Sequence, residues 1–406
     1  MARVLEINDI AQLAKYRTAW TSLLAKTPAA SFFQSLEWLE IFWRYFGNEQ
    51  RLRTLLVFDD APQNNSPGNS HGNSLDAPLL GISLLGIVPL VVVTESTKVG
   101  PIRTLTYPLH NWGSFYGPIG SMPKRVLTSA LNHIRQTPRD WDILELRWQG
   151  ANDTNPGDTQ QAMWDAGFHA LQTVWDRTAI VDCSESWESY WGSRKKSWLE
   201  RYRSSERKIA KQGQISFVRH RPLGQASNDD SPRWDLYDAC EEIARKSWQN
   251  AATDGTTLSH ESIRAFLRDV HAVAASAGAV DMNLLLLNDK PTAFLYNYYY
   301  RNTVQGLRRG YDAEQSRAGV GNILMAYSLR DSFERGDHVY DMGVGALASK
   351  RHFLTRLAPI FRFSHFPPFA FRSQLLHAKR WWQSWQQRSP TFIEAGRVQD
   401  GTTGSR

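Results

Sequence analysis

Apolar residues recur at helical spacing in SFFQSLEWLEIFWRYFG, where Phe33, Leu36, Leu39, Ile41, Phe42 and Tyr45 mark one side of a helix and Gly47 ends it, so residues 1–50 read as helical. The pattern then changes to a strand at RLRTLLVFDD. The longest apolar run, Leu79 to Val93, is broken by Gly81, Gly86 and Pro89 and is shorter than the roughly 20 residues of a membrane span; it predicts buried strands. Between them, Ala61 to Pro78 is rich in Pro, Gly, Asn and Ser and predicts a flexible insertion. Its GNSHG matches the GxSxG nucleophile pattern, but the required strand before and helix after are missing. A loop-rich aromatic stretch follows, then a helix over 126–136 and the strand WDILELRW.

The second half opens with a basic helical segment, Arg194 to Lys211, which reads either as a solvated face or as a phosphate contact. Helices over 236–248 and 262–277 precede AVDMNLLLL, the turn NDK and the long strands of PTAFLYNYYYRNTVQGLRRGYD in meander order. A helix over 322–335, with Met325, Leu329 and Phe333 every fourth residue, stops at Gly336 and leads into the strand HVYDMGVG. Near the end, LLHAKRWWQSWQQR mixes Lys379 and Arg380 with Trp381, Trp382 and Trp385; a helix capping its own domain is favoured over one lying on an anionic membrane. The order predicts an α/β fold with an N-terminal domain over 1–182, a C-terminal domain over 183–388 and a disordered tail over 389–406.

Length supports that division, since 406 residues exceed one ordinary core. With 42% hydrophobic and 21% charged residues, the disordered, collagenous and coiled-coil classes fit poorly. Two cysteines, Cys183 and Cys240, form neither a disulfide framework nor a CxxC pair, and the eleven histidines show no metal spacing, so no metal is expected. Glu6 and Asp9 interrupt the first twenty residues where a secretory signal would be apolar, and a cytoplasmic location is expected. The net charge of +7 favours anionic partners only where it clusters.

The basic excess is greatest at Arg194 to Lys211, and three arginines also mark RRGYDAEQSRAGVGNILM, a strand end, a glycine-bearing loop and a helix start. Unpaired amides and aligned peptide dipoles at a helix N-terminus attract anions. Gly319, Val320, Gly321 and Asn322 would present those amides to a diphosphate, with Arg308, Arg309 and Arg317 adding charge. The plainer alternative is a tight turn that uses glycine for backbone freedom.

This stretch, continued to Lys350, resembles the C-terminal signature of the CelD-like acyltransferases of the GNAT superfamily, on Tyr311, Asp312, Gly321, Glu334, Gly336, Asp341, Gly343 and Lys350. SFFQSLEWLEIFWRYFG and EEIARKSW resemble further elements of that family, while Gly319 and Val320 replace its usual Ser-Pro. The resemblance implies tandem GNAT-like domains with mixed, mostly antiparallel sheets flanked by helices, as in the related Fem-type aminoacyltransferases. It implies acyl transfer from acetyl-CoA or another acyl-CoA in the C-terminal half, and an association with cellulose or exopolysaccharide synthesis.

Such chemistry needs a held donor, a polarised carbonyl and a base. A backbone N–H around 305–309 is the candidate for polarising the carbonyl. Asp341 and Glu242 are the candidate bases, with Tyr311 or Tyr327 as proton donors. Each has a plain alternative: Asp341 paired with Lys350, Glu242 on the surface, the tyrosines in the core. Lys350 is a candidate for an anionic substrate, and Trp112, Trp191 and Trp248 for stacking on a sugar ring. The expected function is transfer to an amine or hydroxyl of a small-molecule or glycan-precursor acceptor. One rival is a Fem-like enzyme whose donor is aminoacyl-tRNA, the one case in which nucleic acid is a partner. Another is a non-catalytic scaffold.

Overall fold

A computed structural model of the chain describes residues 2–59, 83–109, 113–150, 156–247, 257–312 and 319–386. The strands are β1 (Arg3–Ile7), β2 (Gln50–Phe58), β3 (Leu84–Thr97), β4 (Gly100–Thr106), β5 (Ile143–Gly150), β6 (Leu171–Asp182), β7 (Ile215–His220), β8 (Val280–Leu287), β9 (Lys290–Tyr300), β10 (Thr303–Tyr311), β11 (Val339–Val344) and β12 (Arg356–His365). In the first half the helices are α1 (Ile10–Leu13), α2 (Arg17–Lys26), α3 (Leu36–Phe46), α4 (Pro123–Gln136) and α5 (Pro156–Asp165). They continue with α6 (Trp187–Gly192), α7 (Lys196–Ala210), α8 (Trp234–Lys246), α9 (Glu261–Ser276), α10 (Val320–Glu334), α11 (Leu347–Lys350) and α12 (Phe371–Gln386).

All twelve strands join one sheet in the order β1-β2-β3-β4-β5-β12-β6-β11-β10-β9-β8-β7. From either edge inward the pairing repeats: three antiparallel pairs, one parallel pair (β4 with β5, β10 with β11), then an antiparallel pair. The repeat meets at β12 and β6, which have crossed over. β6, from the first half, pairs with β11, and β12, from the second, pairs with β5. Each half thus supplies a strand to the other, and the fold is a tandem α/β arrangement of mostly antiparallel strands flanked by helices.

Two apolar clusters cover the faces. One takes in α3, α4, α8 and α9 and runs through both halves, with Trp38 edge-on to Phe266 at 5.6 Å and Phe32 to Tyr298 at 4.9 Å. The other packs α6, α7 and α10 against β9, β10 and β11. The reading of residues 1–50 as helical is corrected at its start: Arg3–Ile7 is a short edge strand paired with β2. Five residues with one fully buried side chain carry too little alternation to announce themselves. The predicted insertion at 61–78 and the tail from 389 lie outside the described residues. No helix among the described residues is long and apolar enough to cross a membrane.

Candidate active site

The site lies where β10 and β11 part. They pair at Thr303 with Val339, Val304 with Tyr340 and Gln305 with Asp341, and no further ladder pair joins them among the described residues. β10 stays on β9 as far as Tyr311, while β11 stays on β6 as far as Val344, so a wedge opens between them. Bulges between Gly306 and Arg308 and between Asp341 and Val344 bend both strands at the opening. The buried Asp341 carboxylate holds the second bulge, accepting from the Thr178 hydroxyl and, at 2.7 Å, from the Gly343 N–H. Gly343 has φ +78°, and a Cβ there would sit 2.5 Å from the Gly306 carbonyl oxygen. Only glycine allows that approach.

Cavities run through the wedge. One of about 370 Å³ is bounded by Leu295, Leu307, Arg308, Arg309, Met342 and Lys350. Toward the start of α10 it meets one of about 340 Å³ bounded by Tyr311, Gly319, Gly321 and Asn322, and then one of about 250 Å³ between α7 and α10 with Arg201, Ser205 and His352. In the other direction it shares Gly306, Leu307, Arg308 and Val344 with a 60 Å³ cavity that reaches Phe115 and Trp148 of the first half. Asp341 and Gln305 line this last cavity, and the buried Gln305 Oε1 has no partner among the described residues. Phe115 and Trp148 pack edge-on at 6.3 Å, both with left-handed backbone, φ +54° and +61°. For bulky residues that conformation is strained.

Gly319 caps α10 at φ +79°, and no side chain caps the helix. Asn322 and Ile323 already donate to the Gly319 carbonyl, so the first-turn amides with no partner among the described residues are those of Val320 and Gly321. The two glycines answer different needs. Gly319 supplies the left-handed turn, whereas a Cβ on Gly321 would lie 3.2 Å from the Tyr311 ring. Cations line the wedge beside them. Burial lowers Arg308 to about 10 and Arg309 below the usual range; Arg309 donates to the Ser349 hydroxyl. Burial, and then Arg309, push Lys350 down to about 8 against the pull of Asp341. Its ammonium donates at 2.8 Å to the carbonyls of Gly343 and Val344.

Of the residues singled out by sequence, Arg308, Arg309, Gly319, Val320, Gly321, Asn322, Tyr311, Asp341 and Lys350 gather here. Tyr311 stands at the helix-start end rather than beside Asp341. Glu242 is corrected: its side chain is 59% exposed, pairs with Lys246 at 2.6 Å and lines none of these cavities, because it lies on the outer face of α8. Tyr327 also turns away, donating to Glu206 at 2.8 Å. Arg317, Trp112 and Trp248 fall outside the described residues, and Trp191 stacks on Trp187 at 4.7 Å. Residues without a sequence signal for this site are Phe115, Trp148 and His352, the last stacked on Trp198 at 5.3 Å, whereas Gln305 begins the 305–309 stretch singled out for its backbone N–H groups. Arg201 stood in the basic segment and was legible as a phosphate contact, though not as part of this cavity.

The corresponding wedge of the first half is filled. Among the described residues β4 and β5 pair only at Thr104 with Ile143 and Leu105 with Leu144. Beyond them the segment 113–120 takes the gap: Tyr116 N–H donates to Trp148 at 3.3 Å, Ile119 bridges Ile87 of β3, and the Gln34 amide donates to Gly117 at 3.1 Å. There α4 begins with Pro123, which has no N–H to offer an anion.

Residues 196–351 match the family model described as Acetyltransferase (GNAT) domain. No curated protein matches the chain. Among solved structures, the chain is similar to FemX, at 11% identity, TM-score 0.56, over 93% of this chain and 99% of that one. It is also similar to the C-terminal domain (DUF2156) of an Agrobacterium fabrum protein described as a lysylphosphatidylglycerol synthetase, at 11% identity, TM-score 0.51, over 90% and 96%. At these identities the likeness is one of fold. The second half therefore carries an acyltransferase domain of the GNAT fold, with the wedge at its centre.

Proposed function

We propose that this chain, whose residues 196–351 form a GNAT acetyltransferase domain, transfers an acyl group, acetyl in the simplest case, from coenzyme A to an amine or hydroxyl of a sugar-linked or polysaccharide-precursor acceptor. The observation that carries this reading is the run of cavities from the uncapped start of α10, through the wedge, to the aromatic wall of the first half. The donor's diphosphate sits on the amides of Val320 and Gly321, with Arg309 and Arg201 beside it, and its thioester arm lies in the wedge. Amides of β10 beyond Gln305, released from β11, face the thioester carbonyl and stabilise its developing charge.

The acceptor enters from the side of Phe115 and Trp148. Its nitrogen or oxygen attacks the thioester carbon, the C–S bond breaks, and the coenzyme departs as thiolate. Asp341 takes the acceptor's proton, and Lys350 offsets the negative charge that accumulates. The two aromatic walls and the CelD-like resemblance favour a sugar-bearing acceptor and a place beside polysaccharide-synthesis machinery.

Asn322→Asp tests the donor site. A carboxylate in the first turn stabilises the helix but repels a diphosphate. Titration calorimetry with acetyl-CoA is expected to show affinity reduced about tenfold or more at an unchanged melting temperature. Equal affinity in both proteins removes the reading. The exposed cations Lys196, Arg203, Arg207 and Lys208 of α7 favour a second reading, in which the donor is an aminoacyl-tRNA. Binding of tRNA that weakens steeply with salt, together with no acetyl-CoA binding, supports that alternative.

A further inference from the structure

α12 presents two different sides. One side packs: Ser373 and Leu376 are buried, His377 stacks on Phe366 at 4.6 Å, and Arg380 donates to the buried Glu145 carboxylate. The other side carries Phe371, Leu375, Ala378 and Trp382, spaced four, three and four residues apart on a single stripe. That stripe faces out, with Phe371 76% exposed, Leu375 42% and Trp382 54%, and Phe369 just before the helix is 94% exposed. The helix is further tied to the domain by Arg372, which donates to the Pro101 carbonyl at 3.2 Å, and by the Gln374 amide, which donates to the Pro367 carbonyl at 2.9 Å.

We propose that this second stripe docks the protein on an anionic phospholipid surface, independently of the acyl-transfer reading. Charge favours that occupant. α12 has three basic residues, Arg372, Lys379 and Arg380, and no acidic one. Arg380 is paired with Glu145, whereas Arg372, whose guanidinium donates to the neutral Pro101 carbonyl, and Lys379 keep their charge beside the stripe, and the turn carrying exposed Lys98 lies beside Arg372. Tryptophan and phenylalanine at the surface with cations alongside is the composition of a helix lying in the headgroup region. At about 1.5 Å per residue its 16 residues lay roughly 24 Å along the membrane plane.

The test is co-sedimentation of the full chain with vesicles of phosphatidylcholine containing one quarter phosphatidylglycerol, and with phosphatidylcholine alone. The wild type is expected to pellet with the anionic vesicles, less so as salt rises. Phe371→Glu combined with Trp382→Glu is expected to lower the bound fraction about tenfold or more, with an unchanged thermal melt because both side chains are exposed. Failure of the wild type to bind anionic vesicles overturns the proposal, as does equal binding by the double variant. A wild-type dimer that the double variant turns into a monomer also overturns it, by making a second copy the occupant.

Discussion

Gln305 and Asp341 are the last residues at which β10 and β11 are joined, and both line the small cavity that opens just beyond them. One is a carboxylate engaged by Thr178 and Gly343; the other carries a buried carbonyl oxygen with no partner among the described residues. An oxygen left so costs about 1–3 kcal/mol of desolvation. Gln305→Met, of similar volume, is therefore expected to leave the protein equally stable or stabilise it by about 1 kcal/mol. If that oxygen receives a donor from the acceptor, the same variant raises the acceptor's KM while thioester affinity stays put. A melt together with steady-state kinetics checks both halves.

Trp148 sits at φ +61° and forms the wall facing that cavity with Phe115. A left-handed backbone disfavours every residue except glycine, at a cost of about 1–2 kcal/mol. Trp148→Gly is expected to be about 1 kcal/mol more stable than Trp148→Ala, the reverse of the order in ordinary strands. Both variants lose the wall, so both raise the acceptor's KM and leave acetyl-CoA binding unchanged. Denaturant unfolding of the pair, followed by calorimetry, checks the prediction.

Lys350 is held at about 8, below its ordinary 10.5, by burial and the nearby arginines. The folded state gives up this proton first, so between about 8 and 10.5 the unfolded chain binds more protons and stability rises with pH. Below about 8 the cost of burying the ammonium is fully present, on the order of 3 kcal/mol. Lys350→Met is expected to remove that alkaline slope. Wild-type affinity for an anionic thioester should fall as pH rises through about 8, and the step should be absent in the variant. Unfolding midpoints and calorimetry across that range provide the test.

A buried charge network locks the outer strands to α10. Arg219 donates to Asp281 at 2.7 and 3.0 Å and to Asp331 at 2.8 Å, while Arg221 donates to Asp337 at 2.7 and 2.8 Å. Asp281 is held at about 2, below 3.8, by Arg219 and Arg221 acting against burial. Its contribution is complete above about 4 and is lost as pH falls through about 2, about 2 kcal/mol in all. Asp281→Asn removes the carboxylate that both arginines share but leaves Arg219 on Asp331 and Arg221 on Asp337, so it is expected to cost about 2 kcal/mol. The variant's acid transition should be shallower, as followed by circular dichroism.

Much of this arrangement could be read from the chain. Periodic helices, the meander and the glycine-bearing loop leave local signatures, and Arg308, Gly319, Asn322, Asp341 and Lys350 meet as their places in the pattern suggest. What escaped depends on contacts between distant segments. Thr178 reaches Asp341 across 163 positions, and Phe115 and Trp148 enter a cavity of the other half through backbone conformations that no propensity favours. The exchange of β6 and β12 between halves is hidden for the same reason. Glu242 misled because an amphipathic helix with a carboxylate does not announce which side that carboxylate takes; one position earlier, Glu241 is buried and paired with Arg264 at 2.8 Å.

The filled wedge of the first half predicts a single donor site per chain. Segment 113–120 lies so close to β3 that a Cβ on Gly86 would fall inside van der Waals contact with the Ile119 oxygen, and one on Gly120 would come 2.6 Å from the Leu85 oxygen. Together with Pro123 at the head of α4, this fills, among the described residues, the place that the second half leaves open beside the start of α10. Calorimetry is therefore expected to give one acetyl-CoA per chain, and Asn322→Asp to weaken that single event. Gly86→Ala should strain the plug and cost on the order of 1–3 kcal/mol without adding a binding event. Two thioesters bound per wild-type chain would mean that the segment yields its place to ligand.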